Sequence, residues 1–455
     1  MRFKPTFLLG FLEIIILIFC VFPDNYRILV PLFFVICIIR LLWKIGNGSF
    51  FLELFYIYTA FTCLLMPLVG YVFFPASNSL AALWRRSMPV KEDTYFSFAL
   101  PAVILMGVVL FGFRRKSPDD ADVVRNFLDQ IKTDLIKIPP SLILTSCFIS
   151  LISYNISELL PDALKQVNTF LYYSLFAFLF YIIFHKNFPQ KKYFAIGIGL
   201  FIVLDALRSG MFTIIAYMGG LFLIILLSGK RIPLITKFSL FIVAIFFIAF
   251  LQLFKLELRR SFARKQNLPV TELVNNVITK TSASDFESTL FPLYYRMNQG
   301  FNIALVMRHI PKNVEYLGPE FLLTNFVSSF VPRLFWEDKP QAGGIENMRI
   351  YTGLNIKGWS TNVGPIGEAY GSFGYIGGWL YIMLFAGFIR AAYTKFISLS
   401  KKIPILFLWM PPFFYQTIYV MEADSLQAFN SLMKGAVFLF LLYKLFPVLF
   451  GVKAK

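Results

Sequence analysis

Arginine side chains are concentrated in one long polar stretch, residues 255–365, that interrupts an otherwise apolar chain. A guanidinium group keeps its charge at any working pH and can bind phosphate through two parallel hydrogen bonds. As a set, these arginines predict a binding site for a diphosphate group. The alternative for any one of them is a lipid headgroup or a nearby carboxylate as its partner. The set comprises Arg259, Arg260, Arg264, Arg296, Arg308, Arg333 and Arg349.

A second group of ionisable residues falls within or beside apolar segments, where charge is expensive and usually functional. Its members lie toward the same ends of their predicted helices: Asp205, Arg208, Glu368, Glu422, Asp424 and Lys434. This placement predicts a cavity at one membrane face, covered by residues 255–365. For Arg208 the alternative is an ion pair with Asp205, three residues earlier. Glu13 is the main exception, because it lies inside the first apolar segment.

Composition indicates which elements position these residues. Of the 455 residues, 58% are hydrophobic and only 15% are charged. Apolar runs of about 20 residues recur along the chain, and that is the length a helix needs to cross a bilayer. The sequence therefore predicts an all-α polytopic membrane protein with about 12 transmembrane helices. They are expected at 6–22, 28–44, 50–74, 95–113, 139–157, 166–184, 193–207, 211–227, 235–254, 366–390, 403–420 and 428–446.

Lysine and arginine are distributed unequally between the short loops, and the richer side is expected to be cytoplasmic. This bias places both termini in the cytoplasm and makes residues 255–365 a large extracytoplasmic loop. The expected organisation is N-terminal transmembrane helices over 1–254, the loop over 255–365, and C-terminal transmembrane helices over 366–455. The same bias explains much of the net charge of +18, and no nucleic-acid-binding motif accompanies it.

Amphipathic patterns predict further helices outside the membrane spans. Apolar residues recur at helical spacing over 285–308 and 321–331, which makes residues 255–365 a structured cap. The segment 117–137 has the pattern of a cytoplasmic helix that lies on the membrane, with an aspartate as its N-cap. No small-residue cleavage site follows the first apolar run, which predicts a retained helix and not a signal peptide.

The sequence offers little for a metal site or a disulfide. The four cysteines, Cys20, Cys37, Cys63 and Cys147, lie in apolar runs without a C-x-x-C pair. We interpret them as small buried side chains. Only two histidines are present, so a site built on histidine ligands is not expected.

The most specific stretch is 330–340, where two prolines enclose basic, aromatic and acidic residues that could stack on a sugar ring or hold an anion. Pro332, Arg333, Trp336, Lys339 and Pro340 match a Pro-Arg-x-x-Trp-x-x-Lys-Pro pattern. The stretch thereby resembles bacterial O-antigen polymerases, the Wzy-type oligosaccharide repeat-unit polymerase family. A second family pattern, Gly-Glu-x-Tyr-x-x-Phe-Gly-x-x-Gly, matches Gly367, Glu368, Tyr370, Phe373, Gly374 and Gly377. The run 208–210 resembles the family's arginine between two paired short helices.

The resemblance implies a GT-C-like, metal-independent glycosyltransferase without a cofactor, in the bacterial cytoplasmic (inner) membrane. Such an enzyme polymerises undecaprenyl-diphosphate-linked oligosaccharide repeat units into O-antigen, capsule or exopolysaccharide at the outer face of that membrane. A chain-length-regulating co-polymerase and a flippase are the expected protein partners. The implied diphosphate and glycan site comprises Arg208, Arg259, Arg260, Arg264, Arg333, Trp336, Lys339 and Tyr370.

Glycosyl transfer also needs a base near the acceptor hydroxyl. Glu368 is the first candidate, because Gly364, Gly367 and Gly371 allow backbone or substrate to approach closely. Its alternative role is that of a helix-start carboxylate favoured by the macrodipole. His309 is the second candidate, since the related O-antigen ligases use a histidine, although the segment here does not match their spacing. Two other functions remain alternatives, a ligase-like glycosyltransferase and a lipid-linked oligosaccharide transporter or flippase, which would place charges near the membrane midplane.

Overall fold

The computed structural model describes residues 5–20, 22, 25–112, 119–156, 159–160, 162–209, 212, 214–263, 268–283, 286–331, 335–336, 338–340, 343–356 and 361–452. Within these ranges the chain is helical, and its helices are joined by turns, π-helices and 3-10 helices. The α-helices are α1 (Pro5–Phe19), α2 (Tyr26–Lys44), α3 (Phe51–Ala60), α4 (Met66–Phe73), α5 (Ser79–Leu83), α6 (Glu92–Phe111), α7 (Ala121–Leu135), α8 (Pro140–Ile156), α9 (Asp162–Phe184), α10 (Lys191–Ser209), α11 (Gly219–Leu227), α12 (Leu234–Ala263), α13 (Val270–Ala283), α14 (Phe286–Met297), α15 (Gly300–His309), α16 (Glu320–Ser328), α17 (Gly344–Thr352), α18 (Gly364–Lys402), α19 (Met410–Ile418) and α20 (Ser425–Leu445).

Among the described residues, seven helical segments are long and apolar enough to cross a membrane, or up to eight if the bent pair of α7 and α8 counts as one span. The prediction of a helical, multi-pass membrane protein is confirmed at this level. The seven are Tyr26–Lys44, Phe51–Phe73, Glu92–Phe111, Val167–Phe184, Leu234–Phe262, Gly364–Lys402 and Ser425–Leu445.

The expected count of 12 spans is not found, because apolar character also comes from burial inside the protein. The segment predicted at 403–420 consists of a 3-10 helix, Pro404–Trp409, followed by α19. Most of its side chains are buried in the bundle and do not face lipid. At the N-terminus, α1 has only 15 residues, fewer than the roughly 20 that span a bilayer.

Two π-helices lie on the same side of the helical bundle. Phe61–Leu65 joins α3 to α4 within a single span, and Ile214–Met218 leads into α11. The run predicted as one helix at 211–227 is therefore a π-helix followed by a short α-helix over its described part. Single π-helical turns within α-helices are rare and occur frequently at functional sites. Both of these lie beside the cluster of polar side chains described below.

The longest helix, α18, has 39 residues and a break at Gly374. The φ angle of Gly374 is +69°, a left-handed conformation that glycine adopts without steric cost. Beyond the break, α18 packs along α6, and the Trp379 indole donates a hydrogen bond to the Phe98 carbonyl at 3.1 Å. The part beyond the break, residues 375–402, extends about 42 Å, which is longer than the roughly 30 Å hydrocarbon core.

Between α12 and α18 the described residues form five helices, α13 to α17, which we call the cap. The helix predicted at 285–308 is present as α14 and α15, which are separated at Asn298 and Gln299, and 321–331 contains α16. Helix α12 continues past its apolar part as far as Ala263. The polar stretch of the sequence is therefore a structured cap over its described residues.

The amphipathic helix predicted within 117–137 is confirmed as α7, but its apolar side packs on protein. The Phe127 ring contacts Phe407, with 5.7 Å between ring centroids. Asp120 occupies the N-cap position, but its side chain accepts no capping hydrogen bond. We therefore correct the expectation that this helix lies on the membrane with a capping aspartate. The buried apolar residues of α7 are Val124, Phe127, Ile131 and Leu135.

Buried ion pairs join the helices at the side of the bundle away from the cap. Arg40 and Glu13 lie 2.9 Å apart, and their side chains are 3% and 1% exposed. Lys44 pairs with Asp119 at 2.8 Å, and Asp119 also accepts a hydrogen bond from Tyr393. A buried charge is tolerated when it has such a partner. This pairing explains how Glu13 can lie inside an apolar segment.

Candidate functional site

Two polar clusters lie where the cap meets the membrane helices, and the first is built on Glu368 and Asp424. Both side chains are fully buried. Glu368 Oε2 accepts hydrogen bonds from the backbone N–H of Ser425 at 3.0 Å and from its hydroxyl at 2.5 Å. The Ser425 hydroxyl also accepts a hydrogen bond from Tyr381 at 2.7 Å. Glu368 therefore satisfies the first N–H of α20, a group that has no partner within its own helix.

Asp424 is the N-cap residue of α20 and accepts a hydrogen bond from the Gln427 N–H at 2.6 Å. Its other oxygen accepts hydrogen bonds from the Asn362 amide at 2.9 Å and from the Gly343 N–H at 3.1 Å. Burial raises the pKa of Asp424, and these donors offset part of that effect. The Asn347 amide lies 3.3 Å from Asp424 and 3.5 Å from Glu368, so it bridges the two carboxylates.

This carboxylate network fixes the cap to the start of α18 and α20. A Cβ on Gly344 would lie 1.7 Å from the Thr361 carbonyl oxygen, and one on Gly364 would lie 2.5 Å from that of Met421. A Cβ on Gly371 would lie 2.5 Å from the Tyr351 ring. The glycines beside Glu368 were expected to allow close approach of backbone or of substrate, and at Gly364 and Gly371 it is protein atoms that approach. The environment of Glu368 favours its alternative role as a carboxylate at a helix start, although the helix it serves is the neighbouring α20.

The second cluster is centred on Glu422, which ends a 3-10 turn, Val420–Glu422, between α19 and α20. Its carboxylate pairs with Arg296 of the cap helix α14 at 2.6 Å. The Tyr58 hydroxyl and the Tyr217 hydroxyl donate hydrogen bonds to the same oxygen, the latter at 2.6 Å. The Tyr419 ring is stacked on Tyr217, with 5.0 Å between centroids. We call these five residues, with Lys255 and Arg259, the arginine–tyrosine cluster.

The π-helices help to position the two tyrosines. Tyr58 lies three residues before the π-helix Phe61–Leu65, and Tyr217 lies within the π-helix Ile214–Met218. The two hydroxyl oxygens are 2.6 Å apart. Four separate parts of the chain therefore meet at one carboxylate, with the cap supplying its cation.

The electrostatics of the arginine–tyrosine cluster are cationic. Burial raises the pKa of Glu422, but Arg296 and the two tyrosine donors together hold it below its ordinary value. The pKa of the Arg296 guanidinium is raised by the same carboxylate. Helix α12 packs against α14, and Lys255 interacts electrostatically with Arg259, Arg296 and Glu422. Arg296 contacts the carboxylate directly, Lys255 interacts with it electrostatically, and Arg259 interacts with Lys255. By formal charge the cluster therefore has three cations and one carboxylate, two positive charges in excess.

The cluster is accessible, in contrast to the carboxylate network. The Arg296 side chain is 37% exposed and the Glu422 side chain is 11% exposed. Partial exposure beside several cations and aromatic rings suits an anionic ligand that also carries sugar rings. Within the described ranges, no group of three or more His, Cys, Asp or Glu side chains is arranged to hold a metal ion.

A family model described as "Domain of unknown function (DUF8712)" matches residues 129–402, more than half of the 455-residue chain. The chain belongs to this family. No curated protein and no solved structure matches it. The matched region includes Lys255, Arg259 and Arg296, whereas Tyr58 and Glu422 lie outside it.

The arginines predicted to form one diphosphate site are not all in one place. Arg260 pairs with Glu257 at 2.7 Å, and Arg349 pairs with Glu346 at 2.6 Å, each three residues away in its own helix. Those two follow the alternative of a carboxylate partner, whereas Arg296 and Arg259 join the arginine–tyrosine cluster. Arg308 is exposed, and Arg264 and Arg333 lie outside the described residues.

Arg208 is exposed near the end of α10 and is not paired with Asp205. Asp205 instead accepts a hydrogen bond from Tyr172 at 2.9 Å, so the alternative of an Arg208–Asp205 ion pair is not found. The two paired short helices expected around Arg208 correspond to α10 and α11, with a π-helix between them.

The other predicted site residues have local partners. Lys339 is buried and donates a hydrogen bond to the Val331 carbonyl at 2.7 Å, and Trp336 is half-buried. Tyr370 is buried, with its ring 5.0 Å from that of Phe98 between centroids, and so belongs to the packing between α18 and α6. The His309 ring lies at the end of α15, where its Nδ1 is 3.1 Å from the Asn313 amide.

The residues that sequence reasoning missed as a site are Tyr58, Tyr217, Tyr419 and Lys255. Each lies within or beside an apolar run that reads as a membrane span. A signal existed for Glu422, which was noted as an ionisable residue beside an apolar segment. Its pairing with Arg296 connects parts of the chain that are far apart in sequence, so neither residue identifies the other.

Proposed function

We propose that this protein is a membrane glycosyltransferase that polymerises undecaprenyl-diphosphate-linked oligosaccharide repeat units at the outer face of the bacterial cytoplasmic membrane. The observation that carries the proposal is the arginine–tyrosine cluster, a partly exposed cationic site between the cap and the membrane helices. The two sequence patterns that resemble the repeat-unit polymerases support it independently.

The net charge of the arginine–tyrosine cluster indicates which ligand it can bind. A diphosphate that joins a lipid to a sugar carries about two negative charges, and the cluster has an excess of two positive charges. The diphosphate is also the leaving group, so fixed cations beside it stabilise the charge that develops in the transition state. We assign Lys255, Arg259 and Arg296 to the diphosphate. The stacked rings of Tyr217 and Tyr419 are suited to a sugar face.

We assign the role of the base to Glu422. In the free protein Arg296 holds this carboxylate ionised. When Arg296 turns to the incoming diphosphate, Glu422 loses its cation in a largely buried site, which raises its proton affinity. It then takes the proton of the acceptor hydroxyl as that oxygen bonds to the anomeric carbon. The bond from that carbon to the diphosphate breaks, and the lipid diphosphate leaves with the electron pair.

The two bases predicted from sequence are less well placed for this step. Glu368 has no exposed surface and already accepts hydrogen bonds from Ser425. His309 lies at the far end of α15, beside Gly353 of the cap. The GT-C-like class, the extracytoplasmic position of the cap, the cytoplasmic termini, metal-independent catalysis, and partnership with a co-polymerase and a flippase all remain parts of the proposal.

The test is polymerisation in proteoliposomes supplied with lipid-linked repeat units. Arg296→Ala should reduce the rate by about 100-fold to 1,000-fold, the usual cost of removing a donor to a developing negative charge. Arg349→Ala is the matched control, since it removes an exposed cap arginine that pairs only within its own helix. Arg296→Lys should restore part of the rate, because lysine keeps the charge but lacks the planar fork. Equal rates for Arg296→Ala and Arg349→Ala would contradict the proposal.

A transporter is the second candidate, and one observation favours it. The buried pairs Arg40–Glu13 and Lys44–Asp119 place charges inside the bundle, as proton- or substrate-coupled transporters do. A transporter would move a fluorescent lipid-linked oligosaccharide across the membrane of a sealed liposome and leave its length unchanged. A polymerase would lengthen it.

A further inference from the structure

An apolar groove runs between the second half of α18 and α20, apart from both polar clusters. Its cavity measures about 560 Å³. Nearly all of its lining is apolar, with Phe396 and Leu439 among the residues that form its walls, and the exceptions are Lys395, Tyr443 and Lys444. Both lysine side chains are exposed, and the Lys444 ammonium lies 5.9 Å from the centre of the Phe440 ring.

The groove lies on helices that are candidate membrane spans, so hydrocarbon surrounds it and not water. If nothing filled a space of this size in a bilayer, the side chains that line it would lose van der Waals contacts. Nearly all of its walls are apolar and offer no partner to a polar group, which suits the acyl chain of a lipid.

The lysines supply the second part of the argument. Long basic side chains near helix ends extend their ammonium groups toward the headgroup region. Basic sites between transmembrane helices bind anionic lipid headgroups. Lys444 lies in the last turn of α20, and the lysine and arginine distribution along the chain predicts that this end is cytoplasmic. Apolar walls and two cations at one site match one acyl chain and one phosphate.

We propose that this groove is a binding site for an anionic phospholipid of the cytoplasmic leaflet, with one acyl chain between α18 and α20 and the phosphate between Lys395 and Lys444. The site is separate from the arginine–tyrosine cluster, and the inference does not depend on the proposed function.

Native mass spectrometry of the detergent-purified protein tests this, with phosphatidylglycerol and phosphatidylcholine as probes. We expect retention of phosphatidylglycerol, with a preference of roughly fivefold per lysine, or about 30-fold for the pair. Lys395→Gln with Lys444→Gln should abolish the preference. Lys401→Gln with Lys402→Gln, which removes two lysines outside the groove, should preserve it.

A second pair of variants tests the acyl-chain part. Ala436→Trp fills the groove and should abolish retention of both lipids, whereas Val437→Trp, at an exposed neighbouring position outside the groove, should not. Equal retention of both lipids by the wild type would overturn the phosphate assignment. Retention of lipid by the Ala436→Trp variant would overturn the lipid-chain assignment. A wild-type dimer that dissociates in that variant would also overturn it, because it would show that a second copy of the chain fills the groove.

Discussion

Replacement of Glu368 by glutamine separates an anchoring role from a catalytic role. Glu368 Oε2 accepts two hydrogen bonds from Ser425, and the Glu368 side chain is fully buried. Glutamine keeps one oxygen for these donors and loses the negative charge. Its amide nitrogen then faces the Asn347 amide nitrogen, which lies 3.5 Å from Glu368 Oε1. The structure predicts a stability loss that is moderate, and a protein that still folds.

The size of the stability loss in Glu368→Gln follows from the two hydrogen bonds that Ser425 donates to Glu368. A hydrogen bond to a charged group contributes about 1.5–3 kcal/mol and a neutral one about 0.5–1.5 kcal/mol, so two bonds lose about 2 kcal/mol together. Relief from burying two neighbouring carboxylates offsets part of this loss, which leaves about 1–2 kcal/mol. Glu368→Ala leaves both Ser425 donors unsatisfied in a buried site, and its loss should reach about 3 kcal/mol or more.

Thermal unfolding of the detergent-purified protein measures the order of these losses. We expect Tm to decrease slightly for Glu368→Gln and clearly more for Glu368→Ala. Glu346→Gln, which neutralises an exposed cap carboxylate, should leave Tm unchanged. Polymerisation by the folded glutamine variant should persist within about tenfold of wild type, since a base contributes about 100-fold to 10,000-fold. A glutamine variant with wild-type Tm and no polymerisation would refute the anchoring role and restore Glu368 as the base.

Three further outcomes are expected. Because the pKa of Glu422 is lowered in the folded protein, its contact with Arg296 should stabilise the cap above pH about 4.3 and lose that effect as the pH falls through the lower folded pKa. The protection of α14 amides against hydrogen exchange, corrected for the intrinsic pH dependence of the exchange rate, should then decrease at low pH in wild type and change less in Glu422→Gln. His309→Ala should retain polymerisation, and a loss beyond 100-fold would transfer the role of the base to His309. In a cysteine-labelling assay on intact cells, an impermeant reagent should label a cysteine at Lys312 and not one at Lys192, while the native cysteines are buried; the reverse pattern would invert the topology.

The sequence predicts those features of the fold that depend on local pattern. Periodicity located α7 and the cap helices α14, α15 and α16 but not α13 or α17, and apolar length located most of the long spans. It did not distinguish a segment buried by protein from one facing lipid. Residues 403–420 are apolar because they lie in the middle of the bundle, where Trp409 is fully buried.

Predicting the site requires knowing which distant segments meet. Arg349 and Arg260 could have been assigned to carboxylates by their spacing of three residues. Arg296 and Glu422 could not be paired in this way, because the fold alone brings a cap helix to the turn before α20. The carboxylate network shows the opposite case, in which a sequence pattern around Glu368 marks a site whose contacts in the structure are with the protein itself.

The central claim is tested most directly by giving purified wild-type protein in proteoliposomes only undecaprenyl-diphosphate-linked repeat units. The proposal predicts a ladder of longer lipid-linked glycans and one released undecaprenyl diphosphate for each bond formed. It also predicts that Glu422→Gln abolishes the ladder while Glu346→Gln, the matched exposed carboxylate, does not. A wild-type protein that is folded and leaves the repeat units at their original length would contradict the account.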